Sequence, residues 1–231
     1  MKLVIFDCDG TLVDSQHAIV AAMEQAFRAS NLAPPPRPAI LNVVGLSLDL
    51  AVMQLMRVRD PVTAHPVAER YKDAFAELRA RPDHDEPLFP GCRAALDALV
   101  RRDDVLLGIA TGKSRRGVAA VLEREGWQKH FATIQTADGH PSKPHPSMVL
   151  KALAETGVEP DRAVMVGDTS YDIEMARAAD VAALGVSWGY HPVDELREAG
   201  ADLVIDDYAE LSGAIDRLLA RTATRSAEAS R

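Results

Sequence analysis

LVIFDCDGTLVDS, residues Leu3 to Ser15, runs four apolar residues straight into two aspartates one residue apart, then a glycine and a threonine. Leu3 to Phe6 is short, apolar and partly β-branched, the composition of a strand buried on both faces. A core strand has no structural use for two carboxylates at its end, because burial and mutual repulsion both oppose their charge. Asp7 and Asp9 therefore predict a pocket that uses carboxylate oxygen and holds something to neutralise it.

Further along, the pattern repeats. Apolar runs occur at 105–110 (VLLGIA), 132–134 (ATI), 163–166 (AVMV), 182–186 (AALGV) and 201–205 (ADLVI). Between them GCRAALDALVRR, SRRGVAAVLEREG, PSMVLKALAETG and YDIEMARAAD carry apolar residues at three- and four-residue intervals. Alternating apolar strands and amphipathic helices predict an α/β fold, a doubly wound parallel sheet with helices on both faces. One stretch breaks the alternation. From 16 to 84 only helical patterning is visible: Ile19, Met23, Ala26, Phe27 and Ser30 share one face, as do Val67, Tyr71, Ala74, Phe75 and Leu78. This segment is expected to be an inserted helical domain between core segments 1–15 and 85–220, entered and left near Asp14–Ser15 and Asp85–Phe89. Residues 221–231 are polar and unperiodic and are expected to fray.

Composition narrows the class. The 231 residues carry a net charge of −8, so no basic surface is available for nucleic acid. Cys8 and Cys92 are the only cysteines and supply neither a disulfide framework nor zinc spacing. No charged-then-apolar leader precedes Leu3, and no apolar run reaches about 18 residues. A cytoplasmic enzyme or binding protein, monomeric or homodimeric, with no membrane partner is expected.

In such a sheet, ligands gather beyond the carboxyl ends of the strands. Those ends carry Asp7 and Asp9, then Thr111 in IATGKS, then Asp168 and Asp172 in GDTSYD, with Lys143 in the loop SKPHP. Carboxylates packed this closely need a cation, and an all-oxygen donor set favours a hard one; Mg²⁺ suits it and bridges readily to phosphate. One aspartate can attack phosphorus and a second can shuttle the leaving group's proton. Thr111, the Gly112 N–H and Lys143 can hold phosphoryl oxygens.

With four motifs in order, DCDGTLVDS, IATGKS, SKPHP and GDTSYD, the chain resembles the haloacid dehalogenase superfamily of phosphohydrolases. The resemblance implies Asp7 as nucleophile, Asp9 as general acid/base, and Thr111 and Lys143 as phosphate binders. It also implies Mg²⁺ held by Asp7, the Asp9 backbone carbonyl and Asp168, with Asp172 in support. The helical insertion is similar to the cap of the phosphoglycolate phosphatase and β-phosphoglucomutase branch. Dehalogenases lack the second aspartate of the first motif, so Asp9 points to phosphate chemistry. A phosphatase for a small phosphomonoester, with 2-phosphoglycolate as the leading substrate, is the expected function. A phosphomutase shares the same residues, and a phospho-acceptor signalling domain uses similar ones but is shorter and has no insertion. Gly45, in VVGLS (43–47), stands where related caps place a substrate-facing loop. Lys113, Arg115 and Arg116 read as a solvated helix start, and SWGYH (187–191) as a loop anchored on the core.

Overall fold

The computed structural model describes residues 1–81 and 85–229. Its strands are β1 (Lys2–Phe6), β2 (Val105–Thr111), β3 (Phe131–Thr136), β4 (Ala163–Gly167), β5 (Ala182–Val186) and β6 (Leu203–Ile205). Its helices are α1 (Gln16–Ala29), α2 (Arg37–Asn42), α3 (Leu48–Met56), α4 (Pro61–Arg79), α5 (Cys92–Val100), α6 (Arg115–Glu125), α7 (Ser147–Thr156), α8 (Ser170–Ala178), α9 (Val193–Glu198) and α10 (Leu211–Ala229).

All six apolar runs read from the sequence lie in one sheet, in the order β3-β2-β1-β4-β5-β6, with every pairing parallel. This is the doubly wound α/β arrangement the sequence predicts. Alternate residues of each strand serve opposite faces. Val4, Phe6, Leu107, Ile109, Val164 and Val166 pack with the buried sides of α5, α6 and α10. Leu3, Ile5, Ala163 and Met165 pack with α7, α8 and part of α9. Two covered faces explain why the strands read as continuous apolar runs rather than as alternation.

Helices α1 to α4 bury their apolar stripes on each other and form a separate core that includes Ile19, Met23, Phe27, Ile40, Val52 and Val67. The chain enters and leaves this helical unit side by side. Val13 and Leu88 form an antiparallel bridge, Asp14 N donates to Pro87 O at 2.8 Å, and Phe89 N donates to Leu12 O at 3.1 Å. The boundary expected at 84 and 85 abuts residues 82–84, which lie outside the described residues.

One expectation is corrected. Residues 221–229 continue α10 instead of fraying. Their alanines, arginines and glutamate are good helix formers, which makes continuation inexpensive. Residues 230 and 231 of the expected tail lie outside the described residues. Among the described residues no helix is long and apolar enough to cross a membrane.

Burial ranks the strands' tolerance. Leu184 on β5 is fully buried, whereas Leu150 on α7 is 47% exposed. Leu184→Ala is expected to cost about 2–5 kcal/mol and Leu150→Ala no more than about 0.5 kcal/mol. Urea denaturation of the two variants checks the difference.

Candidate active site

The β1–β4 register, Phe6 beside Val166, brings the residues after both strands together. Asp7 continues the ladder, its N–H donating to Val166 O at 2.9 Å, and Asp168 follows Gly167 at the end of β4. Gly10 makes their approach possible: its φ is +86°, and a Cβ there would stand 2.2 Å from Asp168 Oδ2.

One carboxylate oxygen from each of Asp7, Asp168 and Asp172 lies within 4.8 Å of the other two, and all three residues are buried. Each is fixed differently. Asp168 accepts from Thr11 Oγ1 at 2.8 Å and from Tyr190 N at 2.9 Å. Asp172 closes a capping box at the start of α8, with Thr169 N at 3.1 Å and Thr169 Oγ1 at 2.7 Å. Asp7 is met by Lys143, whose Nζ is 2.9 Å from Oδ1 and 2.5 Å from Asp172 Oδ1, and the Thr111 side chain lies close enough to favour its charged form. The lysine's approach to Asp7 is an ion pair without hydrogen-bond geometry, so both Asp7 oxygens are left without a hydrogen bond.

Three carboxylates against one ammonium leave surplus negative charge in a dry place. Burial pushes the Asp7 carboxyl up to about 6; Lys143 opposes the rise and Asp172 adds to it. Burial drives Asp168 well above the usual carboxylate range, with Asp172 and Asp7 adding to the effect. Burial pulls the Lys143 ammonium down, yet Asp172 and Asp7 outweigh it and the net shift is upward. Under-bonded, crowded carboxylate oxygens are a donor set suited to a hard cation, and the trio can hold one.

Asp9 is not part of the trio. Its Oδ1 accepts from Ser15 Oγ at 2.6 Å and pairs with Lys113 Nζ at 2.6 Å. Asp172, expected in support, supplies the trio's third carboxylate. Thr111 ends β2 beside Asp7, its hydroxyl accepting from Lys113 N at 3.2 Å. Gly112 follows it and is pressed against the helical unit: a Cβ there would meet Gly45 O at 2.5 Å. Gly45 thus lies directly over the loop that follows β2, and it also faces Thr169.

Two readings need correction. Lys113 is not solvated; its side chain is 7% exposed, because Asp9 and Glu86 draw the ammonium inward. Burial lowers its pKa, but Asp9, followed by Cys8 and Glu86, more than offsets that, and the net shift is upward. The loop 187–191 does more than anchor on the core. Trp188 Nε1 and Tyr190 N reach Thr11 O and Asp168, Tyr190 Oη meets Ser15, and His191 Nε2 is 3.1 Å from Asn42 O in the helical unit. Aromatic side chains in a loop after a strand end were the available signal, but Thr11, Ser15 and Asn42, which they reach, lie more than 145 residues away in sequence.

Surplus buried charge beside a lysine is costly to keep, and at the strand ends of a doubly wound sheet it marks a catalytic crevice. The crevice, under its helical cover, is that of a hydrolase. The chain belongs to the haloacid dehalogenase-like hydrolase family, whose model matches residues 4–186. It is 37% identical over 222 residues to a probable phosphatase, IndB, of Dickeya dadantii, covering 94% of each chain. It is 32% identical to a phosphoglycolate phosphatase of Agrobacterium fabrum, covering 92% of this chain and 91% of that one. A hydrolase structure from Pseudomonas syringae superposes with a TM-score of 0.81 at 28% identity, covering 94% of this chain and 99% of that one. The chain is a phosphatase of the haloacid dehalogenase type, a phosphoric monoester hydrolase.

Lys143 is, among the described residues, the single ammonium within the trio, so Lys143→Met leaves buried carboxylates uncompensated. A loss of about 3–5 kcal/mol is expected. Urea denaturation checks it, and unchanged stability would show that the trio is already neutral.

Proposed function

We propose that the chain is a Mg²⁺-dependent phosphatase that hydrolyses a small phosphomonoester through an aspartyl-phosphate on Asp7. The observation that carries this reading is Asp7 itself: a buried carboxylate whose two oxygens lack hydrogen bonds, at the mouth of the sheet and next to a lysine. An oxygen with free lone pairs is a usable nucleophile; a carboxylate serving only structure is hydrogen-bonded.

In the first step an Asp7 oxygen forms a bond to phosphorus and the bond from phosphorus to the leaving oxygen breaks. Asp9 gives that oxygen its proton. In the second step Asp9 takes a proton from water, whose oxygen attacks the aspartyl-phosphate and releases inorganic phosphate with Asp7 restored. Lys143, the Thr111 hydroxyl and the Gly112 N–H are assigned to the phosphoryl oxygens. Mg²⁺ would be held by Asp7 and Asp168, with the Asp9 backbone carbonyl and Asp172 completing the set, and it would neutralise charge on the phosphoryl group.

Helices α1 to α4, residues 16–84, are assigned as a cap that hinges on the paired strands at Val13 and Leu88. In the closed arrangement Gly45 lies on Gly112, and Ser47 N donates to Ser142 Oγ at 2.7 Å. Such closure leaves room for a small metabolite and excludes water during the first step. The best candidate substrate is 2-phosphoglycolate, a small phosphomonoester; the Agrobacterium relative is named a phosphoglycolate phosphatase.

Asp7→Asn keeps the shape of the side chain but not its nucleophilicity. Its turnover is expected to fall by more than about 10³-fold, and retention of about a tenth, only about 1.4 kcal/mol of barrier, would sink the assignment. Metal binding has a readout apart from activity: Mg²⁺ should raise the melting temperature, and Asp168→Ala should abolish that rise. A phosphate-release assay with EDTA and with Mg²⁺, comparing 2-phosphoglycolate with sugar phosphates, tests the reaction and the substrate. Release favouring 2-phosphoglycolate is the expected result; no preference rejects that substrate, and undiminished release in EDTA rejects the metal.

A further inference from the structure

Lys113 is held by groups from three parts of the fold. Its ammonium meets Asp9 Oδ1 at 2.6 Å, and Ser15 Oγ donates to that same oxygen. Asp9 Oδ2 receives no hydrogen bond among the described residues. On its other side, Lys113 Nζ lies 3.7 Å from Glu86 Oε1, on the return linker, and Glu86 Oε2 is 3.4 Å from Arg79 Nη2 at the end of α4. From above, Phe75 of α4 places its ring centroid 5.5 Å from the ammonium. Even the stem has a fitted place: a Cβ on Gly117 would stand 2.8 Å from Lys113 Cγ and 3.1 Å from Cε.

We propose that Lys113 is a positioning residue for Asp9, pinning Oδ1 beneath the closed cap so that Oδ2 is the oxygen that serves the leaving group. The inference rests on the reading of Asp9 as general acid. Bond changes are those already given: the proton on Oδ2 passes to the leaving oxygen as its bond to phosphorus breaks, and Lys113 keeps its own protons. Phe75, whose ring faces the ammonium from above, belongs to the cap, as does Arg79, which reaches Lys113 only through their shared partner Glu86. Asp9 is therefore aimed only when the cap is in place, which ties leaving-group protonation to substrate enclosure.

The test uses substituted phenyl phosphates, whose uncharged rings differ in leaving-group basicity and little else. The quantity read is kcat/KM, which reports steps up to leaving-group departure and not hydrolysis of the phosphoenzyme. A basic phenol needs the acid and a 4-nitrophenol scarcely does. Lys113→Met is expected to lose about tenfold to hundredfold on phenyl phosphate but no more than about threefold on 4-nitrophenyl phosphate. Gly117→Ala places a Cβ 2.8 Å from Lys113 Cγ and so displaces the lysine stem without touching its charge; a urea melt run alongside confirms that the variant is folded. It should shift in the same direction by a smaller factor, and it decides the matter if Lys113→Met does not fold. Equal losses across the series in the folded variant overturn the positioning role. Asp9→Asn run alongside separates the two readings. A steep dependence on the phenol in Asp9→Asn, with none in the lysine variant, rejects Lys113 alone. No added dependence in Asp9→Asn rejects the acid itself and the inference with it.

Discussion

The Lys143 ammonium, wholly buried between Asp7 and Asp172, is the charge around which the site is built. An ammonium out of water is tolerable only against well-placed carboxylates, and here two of them share it. Their placement is a property of the whole fold. Asp7 must leave β1 next to the end of β4, which the parallel β1–β4 pairing secures. Asp172 must stand at the start of α8, where the capping box with Thr169 fixes it and the helix N-terminus favours its charge. Asp168, given nothing by Lys143, leans instead on Thr11 and the Tyr190 N–H. One ammonium cannot balance three carboxylates. The arrangement is thus poised for a further cation, and the sheet, the capping box and the 187–191 loop all serve to keep that imbalance in position.

Much of this was legible in the sequence because it is local. Six apolar runs became six strands, since a strand covered on both faces needs apolar residues at every position. The convergence of Asp7, Thr111 and Asp168 was legible because each closes a strand or opens the loop after one, whereas Lys143 comes from the loop ahead of α7. Lys113 was not. Its neighbours Arg115 and Arg116 are exposed, and the residue that reverses its environment, Asp9, lies 104 positions earlier. A lysine's stem lets it turn either to solvent or inward, and spacing alone does not choose between them. The same holds for Tyr190 and His191, whose partners Ser15 and Asn42 sit at opposite ends of α1 and α2. The continuation of α10 past 220 was missed for another reason: a helix with no visible apolar period can still propagate on residue propensity.

The contacts between the helical unit and the sheet differ in kind from those inside either part. Within each part the binding is apolar: the α1–α4 core and the two faces of the sheet are separate hydrophobic clusters. Between them, the visible links are polar and sparse. Tyr171 Oη and His191 Nε2 both meet Asn42 O at 3.1 Å, and Ser47 N donates to Ser142 Oγ. Each is a hydrogen bond that water can replace at a net cost of about 0.5–1.5 kcal/mol. Two stable bodies joined by a paired linker and a handful of exchangeable hydrogen bonds can separate without exposing a core. That is the physical requirement the proposed cap has to meet if it is to admit a phosphate ester and then exclude water from it. The Phe75 ring over Lys113 is a link of another kind, because the ammonium it faces ends on Asp9. In the proposed mechanism, closure driven by weak contacts is then rewarded at Asp9, the group assigned to the leaving oxygen.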